Sequence, residues 1–129
     1  MILDSTFLVD FERELRRGDS GPATAFLEQH ADAPLSITFT IAGELAAGTS
    51  LGSDRARWES FIRPFSLLGF TPDVAWQFGA LYRHLRASGT LIGANDLWIA
   101  ATALTYDQPL ATRNANEFAR VPGLAVLTY

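Results

Sequence analysis

Apolar residues fall into short runs that alternate with longer stretches spaced at three and four residues. Met1–Leu3 is a short run that stops at Asp4, and a helix is expected from about Thr6. Turn residues over Gly18–Gly21 precede a predicted helix over Pro22–His30, and Leu35–Thr38 is the next short run. A helix over Thr40–Gly48 follows, with Ile41, Leu45 and Gly48 on one side and Thr38 or Thr40 as its cap. Ser53–Ile62 reads as a charged amphipathic helix ended by Pro64, and Phe65–Gly69 as a third strand. Pro72–Ala87 has the clearest helical spacing, at Val74, Phe78, Leu81, Tyr82 and Leu85, with Pro at a favoured first position. Gly89 and Gly93 break the pattern before a helix over Asp96–Tyr106, whose inner stripe is Leu97, Ala100, Ala101 and Leu104. Pro109–Thr112 and Leu124–Leu127 are the last predicted strands. Strands separated by helices predict a parallel sheet covered on both faces, an α/β sandwich with right-handed crossovers.

Composition narrows the class. The 129 residues suit one domain, with no repeat, linker or low-complexity tract. At 48% hydrophobic and 19% charged, the chain can bury a core and lacks the signature of disorder. There is no cysteine, which removes disulfides, thiolate zinc sites and thiol nucleophiles, and is compatible with a cytoplasmic setting. The opening residues have no basic stretch ahead of an apolar run, so no signal peptide is expected. No apolar run approaches the roughly 18 residues of a membrane span. A net charge of −4 gives no basic footprint for nucleic acid, but net charge says nothing about where charges sit. All ten basic residues are arginine.

Candidate chemistry lies at the strand ends. In open parallel sheets, sites form beyond the carboxyl ends of the strands. Asp4 follows the first strand, Glu44 lies one turn into the helix after the second, and Asp96 opens the helix before the Pro109–Thr112 strand. The segment Thr112-Arg113-Asn114-Ala115-Asn116-Glu117 follows that strand. Each has a plainer use. Asp4 and Asp96 both suit helix capping, with Asn95 as a competitor for the latter. Glu44 suits a solvated or ion-paired position, although its helix is mostly apolar and a carboxylate beside a buried face is costly unless paired. Asn114 and Glu117 suit an ordinary loop. Carboxylates gathered at one sheet edge need a cation, and oxygen ligands select Mg²⁺ or Mn²⁺ over zinc. His30 and His84 lie outside these segments.

At these residues the chain resembles the PIN domain, and within it the VapC-type toxins of bacterial toxin–antitoxin pairs. Ile2-Leu3-Asp4-Ser5-Thr6 is similar to the family's opening motif, Glu44-Leu45 to its second acidic motif, and the segment from Ile92 to Ala101 to its third. Leu110 to Asn114, with Glu117-Phe118 and Val121 to Leu124, resembles the closing motif. The resemblance implies a three-layer α/β/α sandwich with a short, mainly parallel sheet. It implies a Mg²⁺-dependent endoribonuclease, with Mn²⁺ as a substitute, in which a metal-activated water hydrolyses RNA to a 5′-phosphate and a 3′-hydroxyl. Asp4, Glu44 and Asp96 are its implied metal ligands. Asn114 stands where members often carry a fourth acid, and Glu117 is the alternative for that place. Thr6 and Thr112 are implied supports for Asp4, and Arg113 an implied phosphate contact. Arg83 and Arg86 are weaker phosphate candidates.

The resemblance also implies a homodimer and a cognate antitoxin, with Phe7, Leu8, Phe11, Leu15, Phe26, Leu27, Trp58 and Phe61 as a candidate apolar groove. Other enzymes with an early Asp fit less well. Haloacid dehalogenase-type phosphatases and response-regulator receivers both require a lysine, and no P-loop signature is present. The remaining alternative is a catalytically weak PIN fold that binds RNA or a protein partner.

Overall fold

A computed structural model describes residues 1–129. The strands are β1 (Ile2–Leu3), β2 (Ser36–Thr38), β3 (Ser66–Leu68), β4 (Leu110–Ala111) and β5 (Val126–Leu127). The helices are α1 (Ser5–Arg17), α2 (Pro22–Gln29), α3 (Phe39–Ala47), α4 (Arg55–Ile62), α5 (Pro72–Ala87), α6 (Ala94–Thr105) and α7 (Ala115–Phe118). All strand pairings are parallel, in the order β3-β2-β1-β4-β5. The expected α/β/α sandwich is the observed class, and its sheet is wholly parallel. No helix is long and apolar enough to cross a membrane.

The short apolar runs became strands because a parallel sheet is buried on both faces and needs no alternation. Ile2, Leu3, Ile37, Leu110 and Ala111 are completely buried, while β3 at the edge is largely exposed. The chain steps outward from β1 through β2 to β3, then crosses to the other side of β1 for β4 and β5. That reversal between β1 and β4 opens a crevice beyond their carboxyl ends. Leu3 pairs with Ala111, so the next residues, Asp4 and Thr112, meet at its mouth.

Several boundaries differ from the sequence expectation, each for a local reason. Thr38, not Thr40, caps α3 by accepting the Ile41 amide at 3.1 Å. The predicted Ser53–Ile62 helix splits into a 3-10 turn over Leu51–Ser53 and α4, because Asp54 accepts the Ala56 amide and restarts the chain as a helix. α6 begins at Ala94 with Gly93 as its cap, so Asp96 lies inside the first turn and is not the cap. Of the two expected loop residues, Asn114 stays in the loop after β4, and Glu117 belongs to α7. Phe7, Leu8 and Phe26 of the candidate groove are core residues instead.

Helix α2 starts at Gly21, which has no capping side chain. Glu14 of α1 supplies the cap from a distance, accepting the amides of Gly21, Ala23 and Thr24 and the Thr24 hydroxyl. Any side chain at position 21 would collide with that carboxylate. Burial pushes the Glu14 carboxyl up, but the four hydrogen bonds outweigh it and hold the group below its ordinary value of 4.5. Glu14→Ala should therefore cost about 1–2 kcal/mol in urea unfolding at neutral pH. A depressed folded-state value means this stability is present above the unfolded value and lost as pH falls through the folded one. The gap between wild type and variant should narrow below pH 4.5. A gap that stays constant into acid would refute the cap.

Candidate active site

Asp4 sits where β1 hands over to α1 and is only 2% exposed. Its Oδ1 accepts the Ser5 amide at 2.9 Å, so the capping role is real. Its Oδ2 accepts the Thr112 hydroxyl at 2.7 Å and the Thr6 hydroxyl at 3.1 Å. Each threonine has one proton, and each gives it to Asp4. Each hydroxyl oxygen then accepts a backbone amide from the loop after β4: Thr6 from Arg113 at 3.3 Å, Thr112 from Asn114 at 3.0 Å. The carboxylate is thus aimed by two side chains that are themselves fixed. None of the chain's ion pairs involves it.

Glu44 is half-buried and takes the Ser5 hydroxyl on Oε1 at 3.1 Å. Its carboxyl is raised, first by burial and then by the charges of Asp4 and Asp96, against the opposing hydrogen bonds of Ser5 and Asn95. Asp96 is also half-buried and raised, by burial, then by Asp4 and Glu117. The fold therefore brings Asp4, Glu44 and Asp96 within electrostatic reach of one another. Glu117 joins through Asp96. Asn114 is exposed and makes no side-chain capping bond.

The expected ion cage, however, is not assembled. No three Asp, Glu or His side chains stand in a geometry to ligate one ion. Ser5 holds Glu44 through its Oε1. The donor set still fits a hard divalent cation, since every candidate ligand is a carboxylate oxygen.

Arg113 pairs with Asp10, its Nη1 lying 2.9 Å from both carboxylate oxygens. Arg83 and Arg86 are exposed on α5, and Arg83 lies over the Trp76 ring at 5.9 Å. Sequence reasoning missed Ser5 and Asp10. Ser5 touches Asp4 in the opening motif, and Asp10 stands four residues after Thr6, on the same helix face. Only that spacing offered a signal.

The family model for the PIN domain matches residues 1–124. The chain belongs to the PIN domain family. This PIN domain is 42% identical to "Ribonuclease VapC" of Rickettsia bellii, over 50% of the chain and 48% of the relative. It therefore spans about half the length of that relative. It is 30% identical to "Ribonuclease VapC2" of Rickettsia felis over 70% of each, which places the domain in the VapC branch. Its fold matches the crystal structure of VapBC2 from Rickettsia felis bound to a promoter DNA fragment, with a TM-score of 0.82 at 22% identity, covering 99% of this chain and 97% of that one.

Proposed function

We propose that the chain is a divalent-metal-dependent endoribonuclease, the toxin of a toxin–antitoxin pair, which hydrolyses RNA phosphodiesters at Asp4, Glu44 and Asp96. The observation that carries this reading is Asp4, a buried carboxylate at the sheet's reversal point, aimed by two threonines and paired with no cation of the chain. Three hydrogen bonds offset part of the cost of burying this carboxylate, and a cation shared with the neighbouring acids would offset the rest.

Asp4, Glu44 and Asp96 would hold the ion, with Glu117 as the fourth carboxylate in preference to Asn114, because Glu117 acts on Asp96. A bound Mg²⁺ or Mn²⁺ supplies water activation and neutralises charge on the phosphoryl oxygens. Thr6 and Thr112 keep Asp4 in one orientation. Glu44, whose carboxylate is steadied by the Ser5 hydroxyl, stands where it is suited to accept the proton of the attacking water. Asn114 offers an exposed amide at the mouth. Arg113 uses only Nη1 on Asp10, which leaves its other guanidinium nitrogens for an RNA phosphate.

The antitoxin's place is a groove from Glu44 along α1 towards α4. Two connected hollows of about 250 and 360 Å³ share Glu12, Arg16 and Leu51. Leu15, Leu45, Leu51 and Phe61 give it an apolar lining, and Arg13, Arg16 and Arg57, paired with Asp10 and Glu12, a charged rim, which suits an amphipathic segment. A second copy of the chain would cover the exposed aromatics Phe39, Phe70 and Trp76.

One experiment tests the reading. The purified chain, sized by light scattering, is incubated with single-stranded RNA in Mg²⁺, in EDTA, and in Mg²⁺ with its antitoxin. The expected result is a dimer that cleaves only in the first condition. Cleavage that survives EDTA removes the metal, cleavage that survives the antitoxin removes the partner, and a monomer removes the homodimer. No cleavage with any metal leaves a binding module.

A further inference from the structure

The Asp4 network does not end at the threonines. Thr6 accepts the Arg113 amide, and the Arg113 side chain returns to α1 at Asp10. Asp10 lies four residues after Thr6 and three before Arg13, so all three share one face of α1. Its side chain is 17% exposed and is the meeting point of three donors. Arg113 Nη1 sits 2.9 Å from both oxygens, Arg13 Nη1 3.3 Å from Oδ1, and the Tyr129 hydroxyl 2.6 Å from Oδ2. Tyr129 in turn packs edge-on against Phe7 at 4.7 Å, beside Thr6 in the chain. Burial, then Asp10, push the Tyr129 phenol up, so it remains a donor throughout the neutral range.

We infer that Asp10 is a positioning residue: it clamps Arg113, thereby fixes the loop after β4, and through Thr6 sets the direction of the Asp4 carboxylate. The geometry explains why the clamp acts at a distance. Arg113 is largely exposed. The strand pairing and the Thr112 amide on the Leu127 carbonyl hold the chain up to position 112, and beyond it the Asp10 pair is the side-chain tie from Arg113 to α1. The two amides that brace the threonines, those of Arg113 and Asn114, belong to consecutive residues of that loop. A loop free to shift would release the Arg113 amide from Thr6, the bond that crosses to α1, while the Asn114 amide stays on Thr112 within the loop. The competing possibility is that Asp10 merely sequesters Arg113 from RNA, in which case removing it should help the enzyme.

This inference rests on the ribonuclease reading for its kinetic arm and is independent of it for the other. The variant is Asp10→Asn, which keeps size and acceptor but removes the charge. In backbone hydrogen exchange of the whole chain, the Arg113 amide should exchange about tenfold faster, with helix-core amides unchanged. In RNA cleavage, kcat should fall about 10- to 100-fold, the range for residues that orient ligating carboxylates, with KM rising by a smaller factor because Arg113 also faces the RNA. Tyr129→Phe, which removes one hydrogen bond and no charge, should shift both readouts the same way by less, and it serves if Asp10→Asn does not fold. An unchanged Arg113 amide overturns the clamp, whether or not the wild type cleaves RNA. Faster loop exchange with unchanged kcat overturns the link to Asp4, and a rise in kcat/KM shows sequestration instead. A wild type that cleaves nothing removes the ribonuclease reading while the exchange arm still decides the clamp.

Discussion

Asp4→Asn is expected to lower RNA cleavage by at least about 10³-fold while the chain stays folded. The substitution separates the two roles of the residue. Asn is as good a helix cap as Asp, so the start of α1 survives. It lacks the charge, and one of its two polar atoms no longer accepts the threonine protons. Stability should change by less than about 2 kcal/mol, since the two lost hydrogen bonds are partly offset by relief of repulsion among the acids. The relief is measurable. Asp4 contributes to the raised carboxyls of both Glu44 and Asp96, after burial in each case. In the metal-free variant both should titrate lower than in the wild type, read by carboxyl NMR. Full metal-dependent activity in the variant would sink the site, and unmoved titrations would show that the three acids do not share a field.

Phe7→Ala should have the largest effect on stability. Phe7 has no exposed surface and meets Phe26 and Tyr129 edge-to-face at 5.4 and 4.7 Å. Removing a buried phenyl ring costs about 3–5 kcal/mol, against a total of about 5–15 for a domain, so urea unfolding should show a chain near the edge of stability. The ring also joins α1 to α2 and to Tyr129, next to Thr6. The site should loosen with the core, which an Asp4 variant does not do. Phe7→Leu should recover most of the loss. A cost below about 1 kcal/mol for Phe7→Ala would mean the core collapses around the gap and the packing is less specific than the ring contacts imply.

Most elements were legible because hydrophobic spacing is local. The predicted α5 coincides with the observed Pro72–Ala87, where proline at the start and five apolar positions agree. The closing segment was less legible: α7 is four residues long and too short to show a period. The acids were legible as types at strand ends, since a parallel sheet puts those ends on one edge. Their partners were not. A sequence can place Glu14 on α1, but the unguarded amides it caps belong to a helix whose approach depends on packing.

By itself, then, the sequence determined a parallel α/β sandwich, an arginine-only set of cations, and three acids at its strand ends. Only the tertiary structure decided that Asp4 meets Thr112, 108 residues away, and that Asp10 meets Arg113, 103 residues away. It also decided that Glu117 reaches Asp96 electrostatically, and that the acids gather without forming a ready ion cage. Strand order and register fix these pairings, and both follow from burying the whole sheet at once. No local pattern carries that information.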